Sequence, residues 1–263
     1  MWVNHQETIK KEDIMTVQNS AHELISIEEL RALPKAPQTE TYGGFDHDKA
    51  YDMALEIATG QGLLLAKERL EITKGGLRAF MQLSFEHALF PDYLFSVGLR
   101  STYDKSASLA IATGPAVTVC NNLCVWGSDV TLFRKHTKYI ENDIGDLFES
   151  AFEDGRTRID QRIKWMESLK QTKLTKEQGR MLIGASVFTN VTRHNVATKA
   201  MQHWEEPPFE FFKGEQNMFG LQNALTWAAH SERPEKKLEM HQKTSAFIKR
   251  VRINENNELL IAS

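Results

Sequence analysis

The sequence predicts an α+β fold: a central antiparallel sheet packed against one long helix, with further helices in the C-terminal third. Three observations carry this. Short apolar runs with tight connections crowd residues 63–134, as in consecutive antiparallel strands. An apolar stripe of helical period then runs from Ile140 to Leu169. Capping-box spacings at Ser26/Glu29 and Thr175/Gln178 mark two helix starts.

Residues 1–24 lack a sustained apolar period and read as a flexible N-terminal arm ahead of a single domain over residues 25–255. Ser26 caps a short helix through Leu30 and Leu33 that Pro34 and Pro37 end. Thr39 to Asp48 is polar and contains Gly43 and Gly44. Ala50, Met53, Ala54 and Ile57 then repeat at helical spacing until Gly60 and Gly62. Leu63 to Ile72 reads as a strand, and Lys74-Gly75-Gly76-Leu77 as a turn leading to Phe80, Leu83 and Phe85. Further strands are expected at Tyr93–Leu99, Leu109–Thr113, Ala116–Cys120, Leu123–Trp126 and Val130–Arg134, with Gly114-Pro115 and Asn121-Asn122 as punctuation. Ile144, Phe148, Phe152, Ile159 and Ile163 share a face of the long helix. A helix from Thr175 through Val187 follows, then aromatic packing by Phe209, Phe211, Phe212 and Phe219 in a loop region. Leu221–Ala229 is expected as the last apolar helix, Glu232–Lys237 as a solvated stretch, and Thr244–Val251 as the end of the ordered part.

Composition narrows the functional classes. With 263 residues, 41% hydrophobic and 25% charged, the chain is of ordinary globular composition. No run of about 18 apolar residues occurs, and the opening segment lacks the apolar stretch of a secretory signal, so the expectation is a cytoplasmic protein with no membrane contact. Residues 1–100 hold 10 Lys and Arg against 15 Asp and Glu, a balance of −5, whereas residues 101–263 hold 22 against 20, or +2. A polyanion would therefore meet the second part, around Arg134, Lys135, Lys138, Arg156, Arg158, Arg162 and Lys164.

No phosphate loop, dinucleotide fingerprint, nucleophile elbow, kinase signature or H-E-x-x-H is present, so no catalytic residue and no cofactor is expected. None of the nine histidines pairs with another at i, i+4, and Cys120 and Cys124 lack a second ligand pair, so they read as reduced, buried thiols and no metal site is expected. Asp143 with Asp146 and Glu149 with Glu153 read as an exposed acidic helix surface.

One polar constellation remains. Arg100-Ser101-Thr102-Tyr103-Asp104-Lys105-Ser106 lies between two apolar strands, and Asn121-Asn122 and Arg134-Lys135-His136-Thr137 fall at later strand ends. Antiparallel pairing would bring Arg100, Asp104, Lys105, Ser106, Asn122, Arg134, Lys135 and His136 to one edge of the sheet, where their donors could hold an anion. The competing reading makes Asp104 an internal brace that accepts hydrogen bonds from Ser106 or a turn amide. Tyr103, Trp126 and Tyr139 are candidate stacking surfaces.

These segments, with Gly114, Val119-Cys120-Asn121-Asn122, Trp204 with Pro207, and Asn223-Ala224-Leu225-Thr226, resemble the phage- and plasmid-associated domain-of-unknown-function family 932 over about residues 60–230. Tyr103 stands where the family pattern has His, so no imidazole acts there. The resemblance implies a protein of a mobile element in a bacterial host. It supports a non-enzymatic nucleic-acid-binding protein in replication, recombination or single-strand annealing, possible homo-oligomers included. The alternative is an inhibitor that binds a host defence protein, and a hydrolase or nucleotide-binding enzyme built on Asp104 ranks last.

Overall fold

A computed structural model describes residues 23–86, 92–117, 131–207, 214, 216–254 and 259–261. Their order is β1 (Glu23–Ile25), α1 (Ile27–Ala32), α2 (His47–Gly60), β2 (Leu65–Thr73), β3 (Arg78–Glu86), β4 (Tyr93–Thr102), β5 (Leu109–Val117), β6 (Thr131–Arg134), α3 (Ile140–Gln171), α4 (Lys176–Phe188), α5 (His194–Glu205), α6 (Met218–Ala228), α7 (Pro234–Arg250), β7 (Val251–Ile253) and β8 (Leu259–Ile261). The first six strands form one antiparallel sheet in sequence order, and β7 and β8 form a separate hairpin. The fold is thus α+β, with a six-stranded antiparallel sheet, the long helix α3 and further helices after it.

Both predicted capping boxes are present. Glu29 N donates to Ser26 Oγ at 3.2 Å while Ser26 N donates to Glu29, and Gln178 N donates to Thr175 Oγ1 at 3.1 Å with the reciprocal bond from Thr175 N. Each box satisfies two amides that the first helical turn leaves without partners.

The sheet alternates in chemistry but not in burial. Met81, Leu83 and Phe85 of β3 and Phe95, Val97 and Leu99 of β4 share one face and pack against α2 and α3, where Phe148, Phe152, Ile159 and Ile163 are buried. Gly155 lets α3 settle on the sheet: a Cβ there would lie 2.3 Å from Thr113 Oγ1. The opposite face carries Arg69, Glu71, Phe80, Gln82, Ser84, Ser96 and Arg100, and it too is covered, by α7. Lys237 of α7 is 1% exposed and forms an ion pair with the buried Glu71, which Arg69 also contacts. Beside them Leu238 packs with Phe80, Ala110 and Ala112.

Several expectations change. Gly114-Pro115 does not interrupt the strand; β5 runs through it, with Gly114 and Pro115 in register with Ser96 and Phe95 of β4. Glu232–Lys237 is not a solvated stretch: Glu232 and Lys237 are buried, and Leu221–Ala229 is not the last helix. A full helix, α7, follows, and its polar inward face hid it from a search for apolar periodicity. The helix α5 and the helical placement of Phe219 also exceed the expectation. Order reaches back to β1, two residues into the expected arm. Cys120, Asn121, Asn122, Cys124, Trp126, Phe209, Phe211 and Phe212, with the strands expected over 118–130, lie outside the described residues. Among those described, no helix is long and apolar enough to cross a membrane.

Phe152 is fully buried with its ring 5.9 Å from that of Phe95 and 6.3 Å from that of Phe85. Phe152→Ala is expected to cost about 3–5 kcal/mol, measured by denaturant unfolding. A reduction under about 1 kcal/mol would contradict this seating of α3.

Candidate nucleic-acid interface

The sharp turn between β4 and β5 is held by its own side chains. Asp104 accepts from Arg78 Nε at 2.8 Å, from Lys74 Nζ at 3.4 Å and from the Ser106 amide at 3.1 Å. Burial raises the Asp104 carboxyl, but the Ser106 and Arg78 bonds outweigh it and hold the group down to about 2. Thr102 Oγ1 closes the turn by donating to Ala107 O at 2.7 Å. Lys105, at φ 59, takes the left-handed conformation that reverses the chain and leaves its side chain exposed. Asp104 thus occupies the bracing position, and Lys105 is the outward-facing cation.

Behind the turn lies an aromatic stack that sequence reasoning passed over as a polar loop. Gly43 and Gly44 bring that loop against its neighbours: a Cβ at Gly43 would lie 2.5 Å from Thr137 O, and one at Gly44 2.5 Å from Ala36 Cβ. Tyr42 is thereby placed with its hydroxyl donating to Thr102 O at 3.2 Å, its ring 5.4 Å from that of His136 and 4.8 Å from Lys105 Nζ. Burial lowers the pKa of the His136 imidazole, opposed by the Gly43 backbone. His47 stacks on Tyr103 at 3.9 Å between ring centroids and 8° between planes, and the Tyr103 hydroxyl accepts from His47 N at 2.7 Å. His47 Nε2 is 2.9 Å from Gly76 O; a carbonyl only accepts, so the neutral ring carries its proton on Nε2. The Tyr at position 103 therefore serves as a packing partner for a buried histidine. The adjacent pair Gly43-Gly44 was the available signal for this cluster.

The predicted residues divide. Asp104, Lys105 and Ser106 share the turn, and Lys105 and His136 meet across Tyr42. Arg100 and Arg134 point to opposite faces of the sheet: Arg100 lies in register with Phe80 and Ala110, while Arg134 pairs with Leu109 and donates to Asp143 of α3 at 3.0 Å. Arg100 Nε donates to Ser108 O at 3.3 Å, and its guanidinium lies 5.5 Å from the Phe133 ring. Lys135 is exposed, and Asn122 lies outside the described residues. Arg162, grouped by sequence with the basic surface, is buried and donates to Thr113 O at 2.7 Å; Arg156 reaches Gln61 and Arg158 pairs with Asp154.

What remains at the β6–α3 corner is a surface of cations and rings. Phe133 is 56% exposed and Tyr139 64%. Lys138 lies 6.0 Å from the Tyr139 ring. The neighbouring acids are neutralised, Glu141 by Lys49 at 2.8 Å and Asp143 by Arg134, whereas Lys105, Lys135 and Lys138 make no ion pair among the described residues. Phe133 was not singled out, because a lone aromatic in a short strand carries no local signal of exposure. No group of three or more His, Cys, Asp or Glu side chains converges as a metal site among the described residues. No family model, no curated protein and no solved structure matches the chain.

Two substitutions test this geometry. Asp104→Ala should lower stability by about 1–3 kcal/mol, because it removes the carboxylate that ties Arg78 and the Ser106 amide to the turn; an unchanged melting temperature would contradict bracing. Burial holds His47 down to about 4, below the 6.5 of a free imidazole, so the unfolded chain gains a proton before the folded one does. Stability from this group is therefore complete above about pH 6.5 and lost as pH falls toward 4. His47→Leu should flatten the slope of unfolding free energy in that window by up to about 1.4 kcal/mol per pH unit, whatever its effect at neutral pH.

Proposed function

We propose that this protein binds single-stranded nucleic acid, without catalysing a reaction on it, through the corner formed by Phe133, Lys135, Lys138, Tyr139 and Lys105. The carrying observation is that two exposed aromatic rings, Phe133 and Tyr139, and three lysines that meet no acid among the described residues lie on the short segment 133–139 and the adjoining β4–β5 turn. Sequence-tolerant single-strand binding needs this pair of features: rings on which bases stack and cations that follow the phosphates. The resemblance to a family of mobile elements supports a role in the replication, recombination or strand annealing of a phage or plasmid.

Fluorescence anisotropy with a labelled oligothymidylate at low salt tests the reading. Wild type should bind. Replacing Lys105, Lys135 and Lys138 together with Ala should weaken binding at unchanged melting temperature and reduce the slope of log K against log salt by about 0.7 for each of these lysines that engages a phosphate. Phe133→Ala and Tyr139→Ala should each cost about 1–3 kcal/mol of binding with little change in that slope. No binding by wild type at low salt would overturn the reading in favour of an inhibitor of a host protein.

A further inference from the structure

The sheet face beneath α7 has the same chemistry as the exposed corner. Strand register carries one continuous row from Glu71 through Phe80, Arg100 and Ala110 to Phe133, and the row beside it runs from Arg69 through Gln82 and Gly98 to Ala112. These two rows hold two rings, two arginines and one amide, with Glu71 as their single acid. Phe80 and Phe133 lie three strands apart, about 14 Å at about 4.8 Å per strand, with Arg100 between them. Its guanidinium is the group that lies 5.5 Å from the Phe133 ring. Phe133, on the edge strand, is exposed, whereas Phe80 is 2% exposed and sits under α7 against Leu238. The ring at the corner is therefore the uncovered end of a longer stripe.

The cover on that stripe is lightly held. Its apolar grip there is Leu238 against Phe80, Ala110 and Ala112, a cluster separate from the main core. The main core holds α7 chiefly through Phe247 and Ile248 near its C-terminal end, with Met240 the one such residue in its first half among those described. Lys237 reaches Glu71 and lies 5.8 Å from the Phe80 ring. Lifting α7 returns both charges of that pair to water, and Arg69 stays on the sheet beside Glu71, so the pair fixes where α7 docks more than how strongly. Five buried polar atoms on the two elements find no hydrogen-bond partner among the described residues: Nε2 and Oε1 of Gln82, Nδ1 of His241, Oγ1 of Thr244 and Oγ of Ser245. Each is penalised while the seam is closed and relieved when it opens. We propose that the first half of α7 is a displaceable lid on the nucleic-acid-binding surface. A single strand that stacks on Phe133 continues along the row past Arg100, displaces Lys237 and Leu238, and stacks a further base on Phe80. This inference rests on the corner's assignment to single-stranded nucleic acid and extends that surface inward.

Two measurements with oligothymidylate test it, in chains also carrying Cys120→Ser and Cys124→Ser. The thiol introduced by Leu238→Cys is buried while the lid is down, so its rate of labelling by a maleimide should rise about tenfold or more when the oligonucleotide saturates the protein. A disulfide between Leu238→Cys and Ala112→Cys should hold the lid down. The oxidised double variant should bind about tenfold or more weakly than the same chain reduced, the loss of one stacked base, while the reduced chain binds at least as tightly as wild type. If wild type binds but labelling does not change on binding, or if the oxidised and reduced chains bind equally, the lid is overturned and the corner assignment stands. Wild type that fails to bind at low salt overturns the corner assignment itself, and the lid with it.

Discussion

The ion pair between Lys237 and Glu71 fastens the helix that covers the second face of the central strands β3 and β4. Strands β3 and β4 are built with alternating apolar and polar residues, the pattern of a sheet with one face in water, yet both faces are buried. The apolar face is covered by α2 and α3. The polar face can be covered only by a helix that brings polar groups of its own, and α7 supplies Lys237, His241, Thr244 and Ser245, all buried. A charge taken out of water is costly unless paired, so the buried carboxylate of Glu71 requires its cations and ties α7 to β2. Arg69 on the same strand shares that carboxylate. The pairing spans most of the chain and brings its C-terminal helix onto its first long strand.

With the sheet clamped on both sides, its geometry sets where the functional groups emerge. The β4–β5 turn projects from the end of two buried strands, and the Asp104–Arg78 bridge joins it to β3. The β6–α3 corner is connected to this turn by the Lys105–Tyr42–His136 stack. Rigid surroundings of this kind suit a binding surface, because side chains held in place lose less freedom when a ligand arrives. The cations split by role: Arg78, Arg134 and Arg162 are consumed by internal acceptors, and the lysines Lys105, Lys135 and Lys138 face outward. A count of basic residues along the chain could not distinguish these two groups.

Elements whose signals are local were legible. The two capping boxes, the α2 period and the stripe of α3 each depend on residues within a few turns, and the structure has them in place. So was Asp104 as a turn residue, because an Asx-type bond to the amide two residues on is a local event. The elements that were not legible depend on partners distant in sequence. The strand through Gly114-Pro115 is held by its pairing with Ser96 and Phe95 of β4, and α7 reads as polar because it faces Glu71. Tyr42 and His47 join the candidate site from some 60 residues upstream of Tyr103, through close backbone approaches that only Gly43 and Gly44 announce. Tyr139 was named as a candidate stacking ring and is exposed, whereas Phe133 carries no local signal of exposure, which follows from the position of β6 at the edge of the described sheet.

The proposal stands or falls on whether single-stranded nucleic acid meets the β6–α3 corner. Photo-crosslinking with an oligonucleotide carrying 5-iodouracil, followed by mass spectrometric mapping of the adducts, reads this out ring by ring. The prediction is that adducts form on Phe133 and Tyr139 and that excess unlabelled single strand suppresses them. Adducts confined to other parts of the chain, with Phe133 and Tyr139 unmodified, would contradict the assignment of the β6–α3 corner as the binding surface.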